Sequence, residues 1–415
     1  MPRRIATVFL AIVLTLVIAA GCGESQQGLK EEAGEEAAAG IEVPEKYADL
    51  YNELDLKLGE AASYLEANWD GSKGDTIFST ELIVANSNRG EALLNPATLY
   101  AIEITLDSIQ TLGIKAVNIS IAYPLLTLSF PRSTEYLDFY TKAVAEIRDR
   151  GLVVIIDTTT LFPDLDFGEL DVSYEGLTLD RYMQEKRAMV QTVLSELKPD
   201  YYTIENEPVT QQANTGLDFT VENQTAMVDF FLTGLDRGST LMGAGAGTWD
   251  DMAYFESLAG NTDVDYLDLH IYPIQQDFLV DKTARIAESA RSCGKDLAVG
   301  EAWLYKAALA ELGPGHTPAA AADVFARDPY SFWIPLDESF LESMVALSHH
   351  LDFLYMTPFW TQYFFAYLEY DTDMEAQGYT WVNELASSKA WINIQARSLT
   401  PTGETYRELI SGAGP

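Results

Sequence analysis

From Asp75 onward, short β-rich runs alternate with amphipathic stretches, and this alternation constrains the fold more than any other feature of the chain. Eight strands are predicted: 76–81, 116–122, 153–158, 201–205, 241–245, 266–271, 297–301 and 353–357. Between them, apolar residues recur at helical spacing over 98–112, 133–150, 179–197, 224–235 and 283–293. Gly113, Gly151 and Gly294 stand where a helix must stop before a strand begins. Eight strand–helix units in one domain predict a (β/α)8 TIM barrel. A doubly wound sheet is the alternative, but it normally uses fewer strands, and no glycine-rich phosphate loop follows the first strand. The 415 residues are 47% apolar, enough for one large core.

The barrel is expected to span residues 74–412, preceded by a helical segment over 46–73 with Leu50, Leu54, Leu56, Leu58, Ala61 and Leu65 at helical spacing. Residues 22–45 are rich in Glu, Gln, Ala and Gly without apolar periodicity and read as an acidic flexible linker. Residues 1–21 combine Arg3 and Arg4 with an apolar run too short for a comfortable membrane span. The following Ala19-Ala20-Gly21-Cys22 resembles a bacterial lipobox. That resemblance implies a signal peptide, cleavage before Cys22, a lipid on its sulfur and a place in the cell envelope facing away from the cytoplasm. Ordinary secretion is the alternative. The only other cysteine is Cys293, so no intrachain disulfide is expected. The net charge of −37 argues against nucleic acid and polyanionic glycans as partners. No His/Cys/Asp set has metal-ligand spacing, and neither a cofactor nor an obligate protein partner is expected.

In a barrel of this kind the site forms where strands end. Those ends carry Glu81, Tyr123, Asp157, Asn206, Glu207, Trp249, His270, Tyr272, Glu301, Trp303 and Trp360. Two glutamates at the mouths of different strands are what glycoside hydrolysis requires. Ile204-Glu205-Asn206-Glu207-Pro208, His270-Ile271-Tyr272, Gly300-Glu301 and Pro358-Phe359-Trp360, in this order, resemble glycoside hydrolase clan A, near its families 5 and 53. The resemblance implies a retaining β-glycosidase acting on a neutral poly- or oligosaccharide. It makes Glu207 the acid/base, with a raised pKa, and Glu301 an ionised nucleophile. It places Asn206 on the sugar 2-hydroxyl, Tyr272 on Glu301, His270 on the substrate or the acid pair, and Trp360 beneath the sugar. Trp249 and Trp303 become outer platforms.

Two departures stand out. Glu205 occupies the position where cellulase-type members carry histidine, and no arginine ends the second strand, where Asn118 and Ser120 stand instead. Arg89, in the loop after strand one, is the candidate substitute. Side-chain alternation sends Glu205 away from the positions that neighbour Glu207. His349 and His350 precede strand eight at the opposite end and read as structural. His316 could overhang the site. The second half of Phe359–Phe365 reads as core, while Trp333 and Trp381 are placed in long loops, to bind sugar or pin the loop. Two other functions fit the leader: a glycan-binding lipoprotein on a retired hydrolase barrel, and a two-lobed solute-binding lipoprotein.

Overall fold

A computed structural model describes residues 42–165, 167–272, 274, 279–313 and 321–412. The expected signal peptide, Cys22, nearly all of the linker, and His316 lie outside them. From Val43 onward the chain forms one compact unit.

Its centre is a parallel sheet of β1 (Ile77–Phe78), β2 (Ala116–Ser120), β3 (Val153–Asp157), β4 (Tyr201–Thr203), β5 (Leu241–Gly247), β6 (Tyr266–Ile271), β7 (Asp296–Ala302) and β8 (Tyr355–Pro358). Each strand pairs with its sequence neighbour, and β1 pairs with β8. Between β1 and β2 the backbone bonds Lys115 N–H to Phe78 O, Asn118 N–H to Thr80 O and Leu82 N–H to Asn118 O complete the circle. The fold is the (β/α)8 barrel, with the predicted strands in place to within a few residues.

The barrel interior is filled in layers. At the amino-terminal end Tyr201, Tyr266 and Tyr355 meet edge to face with centroids 5.2–6.1 Å apart. Thr203 Oγ1 lies 3.0 Å from the Tyr266 hydroxyl and ties this plug together. Strand β5 admits the large rings because it carries no side chains at two points. A Cβ on Gly243 would sit 2.1 Å from the Tyr266 ring, and one on Gly247 would sit 2.2 Å from Trp249. Above the plug the interior turns polar. Asn118 Nδ2 donates to Asp157 Oδ2 at 2.8 Å and to the Gly300 carbonyl at 3.2 Å.

The expected N-terminal helix is Ala48–Asn68, and it packs on Ile334–His350 through buried Leu54, Leu58, Ala61 and Leu65. His349 lies at this end as expected. It accepts from Gly74 N–H, stacks on Trp69 and meets Phe78 edge-on.

Trp333 and Trp381 depart from the sequence reading. They belong to helix starts, not long loops: Trp333 leads into Ile334–His350, and Trp381 is in the first turn of Tyr379–Ala396. Neither segment has a clean apolar stripe, because Ile334–His350 is buried on several faces at once, which hides the helical period. Trp333 is wholly buried and stacks on Tyr51, with Tyr47 and Phe332 beside it. It pins the N-terminal helix and cannot meet a sugar. Trp381 remains 43% exposed. Trp333→Ala should therefore cost about 3–5 kcal/mol in urea unfolding. A loss below about 1 kcal/mol would mean that this cluster does not hold the helix in place.

Candidate active site

Three local devices bring the carboxylates together. Glu207 ends the β4 segment in the left-handed region, φ 44° and ψ 61°, immediately before Pro208 opens the helix Pro208–Thr215. A non-glycine residue held there, ahead of a proline, is strained, and such strain collects at working sites. On β6 the register slips between Leu269 and His270, so that His270 pairs with Glu301 and Gly300 is passed over. The slip turns Glu301 into the mouth. Glycine is needed at 300 because a Cβ there would lie 2.5 Å from Asp268 Oδ2.

The outcome is a compact constellation. His270 Nδ1 lies 2.8 Å from Glu207 Oε1 and 3.5 Å from Glu301 Oε2. Oxygens of both carboxyls and the His270 nitrogen all fall within 4.8 Å of one another. Tyr272 donates to Glu301 Oε2 at 2.7 Å, and Asn206 Nδ2 is 3.4 Å from His270 Nε2. The side chains of Glu207 and Glu301 keep 16% and 13% of their surface open to solvent, whereas Asn206 and His270 are buried.

Burial opposes charge on His270, yet the Glu301, Glu207 and Asp268 carboxylates outweigh it and raise its pKa to about 10. His270 is thus an imidazolium at neutral pH. Burial, with Asp157 and Glu207 nearby, pushes Glu301 up to about 8, against the pull of His270 and Tyr272. Glu301 is held less readily ionised than the resemblance implies. The reason lies beneath it: Glu81 and Asp157 are buried carboxyls, both raised by burial, and no arginine offsets them. Arg89 does not fill that place, since its charged neighbour is Glu169. Glu207, His270 and Glu301 could geometrically take a metal ion, for which His270 would have to give up its proton.

The aromatic residues divide. Trp360 is half-buried at the mouth beside Phe359 and Phe325. Trp249 is nearly buried and meets Tyr272 edge-on at 5.9 Å, as a wall behind it. Trp303 is not a platform: only 1% exposed, it points outward from β7 and packs on Tyr363 and Phe364. Alternation alone would set Trp303 on the same face as Glu301, two residues earlier, but β7 ends at Ala302 and the chain beyond it no longer follows the pleat. Tyr363, Phe364 and Phe365 are core, as expected. Tyr305, which sequence reasoning passed over, lies 5.2 Å from Tyr272 and belongs to the site; its only signal was its position four residues after Glu301.

Glu205 faces away from the mouth, opposite to its adjacent residue Asn206, which meets His270. It accepts from the Tyr182 hydroxyl at 2.6 Å and sits 3.5 Å from Lys186 Nζ, all three fully buried. Tyr182 also reaches Gln211, and Gln211 Nε2 donates to the Asn206 carbonyl. A buried ion pair thus braces the backbone of Asn206-Glu207 from behind, where related barrels were expected to show histidine. A separate cavity of about 390 Å³, lined by Tyr123, Phe130, Arg132, Tyr174 and Glu185, lies between the loops after β2 and β3.

Removing one partner of the buried pair, in Glu205→Ala or Lys186→Ala, should destabilise the protein by about 3–5 kcal/mol in urea unfolding. The apolar double replacement Glu205→Leu/Lys186→Met should recover most of that. Equal losses in the double and single variants would deny the pairing. The pH dependence has a definite sign. His270 holds below pH 6.5 a full stabilising contribution that is lost as pH rises toward 10. Glu301 keeps its folded-state proton to about 8 against 4.5 unfolded, so stability falls over that window too. The Tm should decline from pH 4.5 to 10, and His270→Gln should flatten the upper half. A Tm that rises through this range would contradict both assignments.

No protein-family model matches this chain, and no curated protein matches it. Solved structures do. The GH5_18 protein of Bifidobacterium longum subsp. longum, in complex with Manb1-4GlcNAc, superposes with a TM-score of 0.52 at 16% identity over 81% of this chain and 78% of its own. GH5_18 of Streptomyces cattleya, in complex with GlcNAc, gives 0.51 at 14% over 82% and 80%. The AHE enzyme of Alicyclobacillus herbarius gives 0.50 at 12% over 81% and 98%. At these identities the likeness establishes the barrel fold that this chain shares with them.

Proposed function

We propose that this protein is a retaining β-glycoside hydrolase with Glu207 as acid/base and Glu301 as nucleophile. The observation that carries the reading is the clustering of oxygens from both carboxyls within 4.8 Å around one imidazole nitrogen. Such closeness favours direct attack, for which carboxyl separations are about 5–5.5 Å. Inverting sites leave room for water at about 6.5–9.5 Å.

In the first step Glu301 attacks the anomeric carbon, and the bond to the leaving oxygen breaks as Glu207 protonates that oxygen. In the second, Glu207 takes a proton from water, whose oxygen displaces Glu301 and restores the starting anomer. Asn206, whose Nδ2 lies 3.4 Å from His270 Nε2, is the residue assigned to the sugar 2-hydroxyl in this reading. Tyr272 holds Glu301 Oε2 and leaves the other oxygen to attack. The cation at His270 links the two carboxyls: it stabilises ionised Glu301 before attack and ionised Glu207 after proton transfer. Trp360 and Phe359 supply the apolar surface a sugar face requires. Two of the structural neighbours hold small neutral sugars, which supports a neutral carbohydrate ligand. A non-catalytic glycan-binding role is the second reading, motivated by the missing arginine and the raised pKa of Glu301.

Glu207→Gln should lower hydrolysis of an unactivated β-glycoside by about 10²–10⁴-fold. Glu301→Gln should remove turnover of both activated and unactivated substrates. Undiminished turnover in Glu301→Gln would overturn the mechanism, and tight glycan binding without any turnover in the unaltered protein would select the second reading.

A further inference from the structure

Among the described residues, the loops above the barrel mouth are joined to one another unevenly around its rim. Phe167, in the loop after β3, lies 5.7 Å from Phe325 in the segment after β7 and 5.6 Å from Tyr379 in the segment after β8. Phe325 in turn meets Tyr379, Trp360 and Tyr305 at 6.4, 5.9 and 5.5 Å. Tyr305 touches Tyr272, whose hydroxyl holds Glu301. An unbroken line of rings therefore runs from beside Glu301 to the loop of a strand on the far side of the barrel.

The same β3 loop is fastened to the loop after β1. Glu169 N–H donates to the Asn88 carbonyl at 2.8 Å, and Phe162 N–H donates to Asn88 Oδ1 at 3.0 Å. Gly90, at φ 52°, lies so close to Leu170 that a Cβ would come within 2.6 Å of its Cγ. In the strand order, β8, β1 and β2 stand between β7 and β3. A bridge from the β3 loop to the segments after β7 and β8 therefore passes over that sector. Glu207 belongs to β4, across the barrel, and its chain turns at once into the helix Pro208–Thr215 with no long loop to cover it.

This asymmetry has a chemical consequence. The leaving group must lie against the acid, on the β4 side, so the sugar that becomes bonded to Glu301 lies toward β8, β1 and β2. That is the side the bridge covers. Resting on the glycosidase reading, we propose that the bridge of Phe167, Phe325 and Tyr379 closes the glycone end of the site. The protein then takes the non-reducing end of a neutral β-linked oligosaccharide and releases one residue, or a very short unit, per event. An internal chain segment cannot thread through.

The test uses mannohexaose and cellohexaose, each free and with its non-reducing end capped as the 4,6-O-ethylidene derivative. The full-length protein should release monosaccharide or disaccharide alone at the earliest times from the free forms, and the capped forms should be cut at least about tenfold more slowly. Early products of three to five residues would overturn the proposal. Phe167→Ala/Phe325→Ala should restore cutting of the capped chains and yield internal fragments. Binding separates this proposal from the reading beneath it. In the Glu301→Gln variant, titration calorimetry should show capped chains at least about tenfold weaker than free ones. Equal affinity for capped and free chains overturns the closed end even where aryl glycosides are cleaved normally. Cleavage of no aryl glycoside, with discrimination against the cap retained, defeats the hydrolase reading and keeps the closed end. Binding of neither probe defeats both.

Discussion

The site depends on one imidazole placed between two carboxylates. His270 is fully buried and in hydrogen-bonding range of Glu207, with Glu301 beyond it and Asp268 behind it. In a low-dielectric interior such a cation is costly alone, and the acids around it are costly without it. The acids hold the imidazole in its charged form, and the imidazolium draws Glu301 toward ionisation without overcoming the burial that keeps its pKa at about 8. The surrounding structure follows from that need: the slip in β6–β7 pairing sets Glu301 opposite His270, glycine at 300 leaves room for Asp268, and Tyr272 donates to the same Glu301 Oε2 that faces His270.

The buried acids beneath this group distinguish the protein from the pattern its motifs resemble. Glu81 and Asp157 occupy the floor where a basic residue was expected, and Asn118 ties Asp157 to the backbone at Gly300. The consequence is electrostatic: Glu301 is held toward its protonated form, and among the described residues His270 is the charge that opposes this. The other departure, Glu205, has a structural explanation. Lys186 and Tyr182 both meet its Oε1 inside the helix layer, and through Gln211 the same network grips the carbonyl of Asn206.

The alternation of strands and helices was legible because a parallel strand buried on both faces reads as an apolar run, and every run found its place in the barrel. The site was legible to the extent that strand ends are. Asn206, Glu207, His270, Tyr272, Glu301 and Trp360 converge at one mouth, while Trp303, at an equally plausible strand end, is turned into the helix layer. Trp333 and Trp381 were misplaced because the helices they open are buried on more than one face or carry no apolar stripe.

The sequence by itself determined the number and order of strands, the presence of two glutamates at strand ends, and the net acidity of the chain. These are local properties: period, residue type and charge are carried by neighbouring residues. Only the tertiary structure decided which glutamate is crowded toward protonation, what Glu205 pairs with, and that the loops after β1, β3, β7 and β8 meet over one side of the mouth. Those outcomes depend on distances between residues far apart in the chain, such as Phe167 and Tyr379 or Asp157 and Glu301, and on a one-residue slip in strand register. No local pattern encodes a distance set by closure of the whole barrel.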